Sequence, residues 1–412
     1  MVGLRVLFTV ASAYCGSNFS MAHARTSSQW NLPSYVRILL QSPRIRMQST
    51  FRSLFYSFSR RPVSYTKCKL LVMSVEKKMN SRKIIGTHDG KFHCDEVLAC
   101  AMLKLLPQYA DATVKRTRNP TILNTCDIVV DVGGVFDPSV HRYDHHQRAF
   151  QESFSSLKPG FPWVTRLSSA GLVYVHFGQE IISQLLAISI ESELVQETYK
   201  RVYEGFIEEI DAIDNGISTH DGPARYKITT SLSSRIGNLN SKWNEIETDE
   251  DVSTKFNKGM ELAKEEFLDK INYFSKCWWP ARKLVVNAIE GRFSVDESGQ
   301  IIELENGGCP WKEHFFELEK KMGLNVADKQ ILYCMFPDTS GSWRIQGVPL
   351  SSHSFELRKA LPDQWRGLRD KELDKMCGID GCVFIHASGF IGGHSTREGA
   401  LEMGRKALAI AS

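Results

Sequence analysis

Two short apolar runs, each ended by histidines and carboxylates, constrain this chain more than any other feature. Residues 83–87 (Lys-Ile-Ile-Gly-Thr) and 127–132 (Asp-Ile-Val-Val-Asp-Val) have the length and β-branched content of buried strands. Between them, residues 96–106 carry apolar side chains at helical spacing and stop before Pro107. Strand, helix and strand in that order predict parallel βα units. In such sheets the loops at the carboxyl ends of the strands form the ligand site.

Those loops hold an unusual concentration of metal-binding groups. The first reads Thr-His-Asp-Gly-Lys-Phe-His-Cys-Asp-Glu (87–96), the second Val-Asp-Val-Gly-Gly (130–134) and the third His-Arg-Tyr-Asp-His-His-Gln-Arg (141–148). Five of the twelve His residues lie in them. One histidine in a loop is ordinarily a surface residue, and one Asp at a strand end is ordinarily a turn or cap. The ordered set within about 60 residues is harder to produce by chance. It suits phosphoester cleavage, where two divalent ions about 3.5–4 Å apart neutralise the phosphate and lower the pKa of a bridging water. Mixed imidazole and carboxylate ligands favour Mn²⁺ and also admit Mg²⁺, Zn²⁺ or Co²⁺. Asp131, alone at a strand end, is the natural bridging carboxylate.

The three segments resemble the DHH phosphoesterases, and more narrowly their melanocyte-proliferating-gene exonuclease subfamily, from about residue 82 to the end. Glu-Ile-Asp-Ala-Ile-Asp-Asn-Gly (209–216) and His-Ala-Ser-Gly-Phe-Ile-Gly-Gly-His (386–394) extend the likeness. The resemblance implies a metal-dependent 3′→5′ exonuclease acting on RNA in mitochondrion and nucleus. It also implies an α/β architecture: a DHH-type parallel-sheet catalytic domain with a second, smaller α/β domain C-terminal to it. Carried over by position, His88, His93 and Asp131 would hold one ion, and Asp95, Asp131, His145 and Asp214 the other. Asp144 would orient an adjacent imidazole, and His146 would face the substrate phosphate. The more usual superfamily pattern has Asp where this chain has His93, which shifts the expected preference from Mg²⁺ toward Mn²⁺. Asp211 and Asp214 lie three apart on one expected helix, and either suits the last ligand position. Gly392, Gly393 and His394 look like a substrate-binding Gly-Gly-His motif; the alternative is a plain strand-to-helix turn. Arg116 and Arg118 are candidates for clamping a phosphate, as Arg397 is, the alternative being solvated surface arginines.

Composition sets the remaining expectations. Residues 1–75 hold eight Arg and two Lys with no acidic residue, and are rich in Ser. That is the make-up of a mitochondrial or plastid transit peptide; Met73 and Met79 offer internal starts for a second pool in nucleus or cytoplasm. The chain is +4 overall, so everything after the leader is acidic. RNA must then be held by ions or a local basic patch. The ten Cys include no CxxC pair, no run is long and apolar enough for a membrane span, and no stable protein partner is foreseen. The expected division is a leader over 1–80, a catalytic domain over 81–225, a helical connector over 226–282 and a substrate-binding domain over 283–412. Helices are expected at 170–186, 195–214, 250–278 and 396–410, and strands at 283–289, 330–336 and 381–386. Trp278 and Trp279 read as a hydrophobic anchor more than as a base-stacking platform. Two further readings stay open: hydrolysis of a small phosphoester such as a dinucleotide or pyrophosphate, and a non-catalytic RNA-binding protein.

Overall fold

The computed structural model describes residues 82–326 and 330–410, so the transit-peptide reading of 1–80 lies outside the described residues. Strand β1 (Ile84–Thr87) pairs in parallel with β2 (Thr113–Arg116) on one side and β3 (Ile128–Val130) on the other. Strand β5 (Arg142–Tyr143) extends the sheet in parallel beyond β3. The edge strand β4 (Phe136–Asp137) is antiparallel, giving the order β2-β1-β3-β5-β4. The parallel core expected from the sequence is therefore present, with one reversed edge.

Helix α1 (Cys94–Leu105) is buried over its first ten residues. It lies between the sheet, helix α2 (Ser169–Leu186) and a long later helix, so it has no wet face to keep polar. Ile85, Ile128 and Val130 point into this side, whereas Val129 packs with Leu123 and Cys126 on the other. That alternation is the period-two geometry of a strand. Helix α3 (Glu193–Val202) runs through a π turn at Tyr203–Ile207 into α4 (Glu208–Asp214), so the helix expected over 195–214 is present with a bulge.

Helix α5 (Asp249–Asn272) starts at Thr248, whose hydroxyl accepts from Asp251 N–H while the Asp251 carboxylate accepts from Thr248 N–H. It does not stop at the Trp-Trp-Pro segment. A π turn at Tyr273–Trp278 carries it into α6 (Trp279–Glu290). The strand expected at 283–289 is thus helical. Two physical reasons account for the correction. Trp279 N–H reaches back to Phe274 O, five residues away, and this wider turn accommodates Pro280 in the first turn of α6, where a missing N–H costs little. The apolar residues then bury as a helical stripe, Ala281, Val285, Ala288 and Ile289. Trp278 is buried, donates from Nε1 to Glu313 at 2.9 Å and packs against His314 with ring centres 3.9 Å apart, burial that suits a hydrophobic anchor.

The second sheet has the order β6-β7-β8-β10-β9, from β6 (Ile301–Glu303), β7 (Tyr333–Pro337), β8 (Trp343–Gly347), β9 (Cys382–Ile385) and β10 (Ile391–His394). Only β6 and β7 run parallel. Ile301, Tyr333 and Met335 face α9 (Arg397–Ala409) and α8 (Asp370–Cys377), whereas Ile302 and Cys334 face α6 and α7 (Trp311–Lys321). The described residues from Lys83 onward cluster as one compact unit.

Candidate metal centre

The ends of β1, β3 and β5 and the last turn of α4 converge. His88 follows β1 directly, and the loop closes at His93, which stands before α1. Asp95 and Glu96 occupy the first turn of that helix, where its unpaired N–H groups favour negative charge. Both Glu96 oxygens accept the His93 N–H at 3.0 Å. After β3, Asp131 adopts a left-handed backbone with φ of 58°. Aspartate tolerates this region better than most residues, and Asp131 N–H donates to Tyr143 O, locking the turn to β5. Beyond β5, Asp144 uses one oxygen for Gly134 N–H and the other for His146 N–H and Nδ1, at 3.1 and 2.8 Å.

Asp131 is the hub. Its Oδ2 lies 3.3 Å from His88 Nε2. Its Oδ1 lies 3.3 Å from His145 Nε2 and 3.4 Å from His146 Nδ1. The two oxygens of one carboxylate therefore face two separate imidazole groups. His88 Nδ1 donates to Asp89 O at 2.9 Å, which in the neutral ring leaves the Nε2 lone pair aimed at Glu96, 3.0 Å away, and at Asp131. A lone pair facing two carboxylates requires a cation or a proton among them. His145 Nε2 lies 3.1 Å from Asp214 and 4.0 Å from Asp95. Among the described residues, neither Asp95 oxygen and neither His145 nitrogen has a hydrogen-bond partner, although all four atoms are buried. Buried polar atoms left without a hydrogen bond are costly, and the set fits a metal site.

Three groups of side chains bring their ligand atoms within 4.8 Å of one another: His88, His93, Glu96 and Asp131; Asp131, His145 and His146; and His93, Asp95 and Asp214. All six sequence-predicted metal ligands are brought together, with His93 and Asp131 each shared by two groups. Glu96 joins them, and sequence reading gives it no role. Its signal is its place three residues after a helix cap, where Glu reaches back to the cap N–H.

Asp211 and Asp214 are placed differently. Asp211 is fully buried and accepts from Ser168 N–H, Ser168 Oγ, Gly171 N–H and Tyr203 OH, away from the cluster. Burial pushes its carboxyl up to about 7 against those bonds. Asp214, at the end of α4, is the one beside His145.

The remaining candidates are placed less simply. Arg116 donates to His88 O and Gly90 O and stacks on Phe92 and Phe256, so it braces the first loop. Arg118 pairs with Asp89 and comes within 3.3 Å of His88 Nδ1, with its guanidinium exposed. Arg397 is taken up by Glu303. His394 is buried, with Nε2 donating to Asp380 O at 3.0 Å and Nδ1 accepting from Thr396 N–H at 3.0 Å. Both ring nitrogens are committed to the chain, which leaves no donor for a phosphate in this arrangement. Gly392 and Gly393 are short for packing reasons: a Cβ on Gly393 would meet Arg344 Nη1, and one on Gly392 would meet Ile385.

The charge balance gives a measurable consequence. Burial opposes protonation of His88 and His145, but contacts with Asp131 and Glu96 raise His88 to about 10, and contacts with Asp131 and Asp214 raise His145 to about 9. Burial, then Asp131 and Asp214, raises Asp95 well above the ordinary range. A metal ion must displace these protons. Titrating chelator-stripped protein with Mn²⁺ at pH 7.5 is expected to release at least one proton per chain, read by calorimetry in buffers of different ionisation enthalpy. Affinity is expected to rise from pH 6 to 9. The stability of the stripped protein should run the other way. A raised folded-state pKa stabilises fully below the unfolded value of about 6.5, and the gain is lost as pH rises through about 9–10. Buffer-independent heats would remove these imidazoles from the ligand set.

Known proteins can be set beside this geometry. A family model labelled MYG1_exonuc, described as "Uncharacterised protein family (UPF0160)", matches residues 84–408. Proteins called MYG1 exonuclease from Mus musculus and Homo sapiens are 55% identical over 326 residues, covering 79% of this chain and 84% and 85% of theirs. A MYG1 protein of Saccharomyces cerevisiae is 42% identical over 341 residues, covering 81% of this chain and 98% of that protein.

Proposed function

The chain belongs to the MYG1 exonuclease family, and from that premise we propose that it is a metal-dependent hydrolase removing nucleotides from the 3′ end of RNA. The observation that carries the reading is the two-sided Asp131 carboxylate, set between His88 and the His145–His146 pair. One ion would take His88, His93 and Asp131, with Glu96 in reach; the other would take Asp95, Asp131, His145 and Asp214, whose carboxylates lie within 4.0 Å of His145 Nε2. Two divalent ions there would neutralise the phosphoester and lower the pKa of the attacking water. The imidazole content favours Mn²⁺ over Mg²⁺.

The chain's own groups supply the rest. Asp144 fixes His146 through Nδ1 and raises its pKa, which favours a proton on the exposed ring. That proton suits the leaving oxygen. Arg118, exposed beside His88, would meet a non-bridging phosphate oxygen. Ser169 Oγ donates to Asp131 Oδ1 at 3.3 Å and helps hold the carboxylate in its two-sided orientation.

A time course on 5′-labelled RNA with Mn²⁺, repeated with Mg²⁺, tests the proposal. The expected products shorten stepwise from the 3′ end, and Mn²⁺ supports the faster rate. Cleavage at internal positions, or no metal-dependent product from RNA while a dinucleotide is hydrolysed, would overturn it.

A further inference from the structure

We propose that the cavity opening beside His93 is a nucleotide subsite, in which a base stacks on Trp243 and the adjoining phosphate meets Lys91 and Lys242. The inference deepens the RNA reading above and rests on it.

The cavity measures about 400 Å³, in the lower part of the roughly 300–1,000 Å³ range of small-ligand sites. One wall is Lys91, Phe92 and His93, the segment that leads from the first loop into the metal cluster. The other is the loop running from the short helix Leu232–Gly237 through Asn240 to Trp243. Asn240 joins the two walls: its Oδ1 accepts Phe92 N–H at 2.9 Å and its Nδ2 donates to Phe92 O at 2.7 Å. Phe92 is buried against Phe256, so the clip is anchored in the core. A ligand seated here therefore lies at a fixed place relative to His93.

Trp243 is 94% exposed. An indole left in water has lost the burial that usually keeps tryptophan inside, and a flat exposed ring accepts any base by stacking. The charge around it is sorted. Glu245 and Glu247 are occupied by Lys255, and Glu245 also accepts Lys242 N–H. Lys242 Nζ spends one donor on Asn238 O. Lys91 is exposed and has no ion-pair partner among the described residues. The subsite thus presents two ammonium groups in a chain whose non-leader part is acidic, the local patch that a polyanion requires.

The test is steady-state cleavage of oligoadenylate with Mn²⁺ across a salt series, using the full chain. Trp243→Ala is expected to raise KM about 5- to 150-fold, the usual range for losing one base stack, and Trp243→Phe to recover most of it. With an oligomer lacking bases, the Trp243→Ala effect should largely disappear. Lys91→Ala and Lys242→Ala should each lower the slope of log KM against log salt by about 0.7, the value for one phosphate contact on a single strand. Unchanged KM and slopes in folded variants would overturn the subsite while leaving the RNA reading intact. So would a Trp243→Ala variant whose KM is unchanged but whose mass in solution falls, since Trp243 would then be a protein contact. Should the wild type cleave no RNA, the RNA reading fails separately. Oligoadenylate binding, read by tryptophan fluorescence, then decides the subsite: weaker binding by Trp243→Ala supports it, and equal binding overturns it.

Discussion

Replacing Asp131 by Asn is expected to lower RNA turnover about a hundredfold or more while leaving the fold intact. The carboxylate faces His88 with one oxygen and His145 and His146 with the other. An amide keeps that shape but removes the charge that two ions would share, and a hundredfold is only about 2.7 kcal/mol of a barrier in which metal ions would carry several. The fold should survive for local reasons. Position 131 sits at φ of 58°, where Asn is accommodated about as well as Asp. The anchoring contact from this residue to Tyr143 O uses its backbone N–H. Initial rates at saturating Mn²⁺, with a melting curve for each protein, decide the matter. Activity above about one hundredth of wild type in a folded variant would refute the bridging role.

The two aspartates of α4 should separate cleanly. Asp214→Ala is expected to cost roughly a hundredfold in rate with little change in melting temperature, because its contacts lie in the cluster. Asp211→Ala should instead destabilise by roughly 2–5 kcal/mol, since four donors lose their acceptor inside the core. Gly171 is part of the same arrangement: a Cβ there would meet the Asp211 carboxylate at 2.4 Å, so Gly171→Ala should destabilise too. The pH dependence adds a sign. With its carboxyl pushed up to about 7, Asp211 contributes most below about pH 4, and that contribution is lost as pH rises through 7. Asp211→Asn should flatten this slope. Chemical denaturation at pH 5 and pH 8 measures both effects, and equal stability of all variants would contradict the assignment.

The sequence was readable where periodicity and chemistry agreed. The strands entering His88 and Asp131 are short apolar runs with β-branched residues, and α9 follows Thr396, whose hydroxyl accepts from Gly399 N–H. It was unreadable where tertiary context decides. Residues 283–289 have strand-like apolar content, and the π turn before Pro280 together with the burial of Ala281, Val285, Ala288 and Ile289 makes them helical. Strands β4 and β5 have two residues each, too few for any period. Asp211 and Asp214 share a spacing, but one points into the packing of α2 and the other ends at the rim, a difference set by neighbours far away in sequence. His394 and Arg397 look like phosphate ligands by residue type, yet Asp380 O, Thr396 N–H and Glu303 take them. Glu96 went unassigned because an acid in a first helical turn is ordinary. The loop that carries Trp243 is joined to the His93 segment by the Asn240 clip, which spans 148 residues of sequence.

The unbroken helical rod Asp249–Glu290 touches α1 near one end and α7 near the other. A rod of this kind works as a ruler and a dial together. Each residue sets both an advance of about 1.5 Å and a rotation of about 100°. Adding or deleting a single residue within it would turn every later side chain away from its partner and swing the second sheet around the helix axis. Length changes should therefore be tolerated in the surface loops and rejected in this stretch, however conservative the inserted residue. The π turn at Tyr273–Trp278 already contains one such extra step, held where Trp278 is sealed against His314 and Glu313. Removing one residue there would restore a regular turn and leave the far half close to its present phase, so the π turn is the exception at which a deletion should be absorbed.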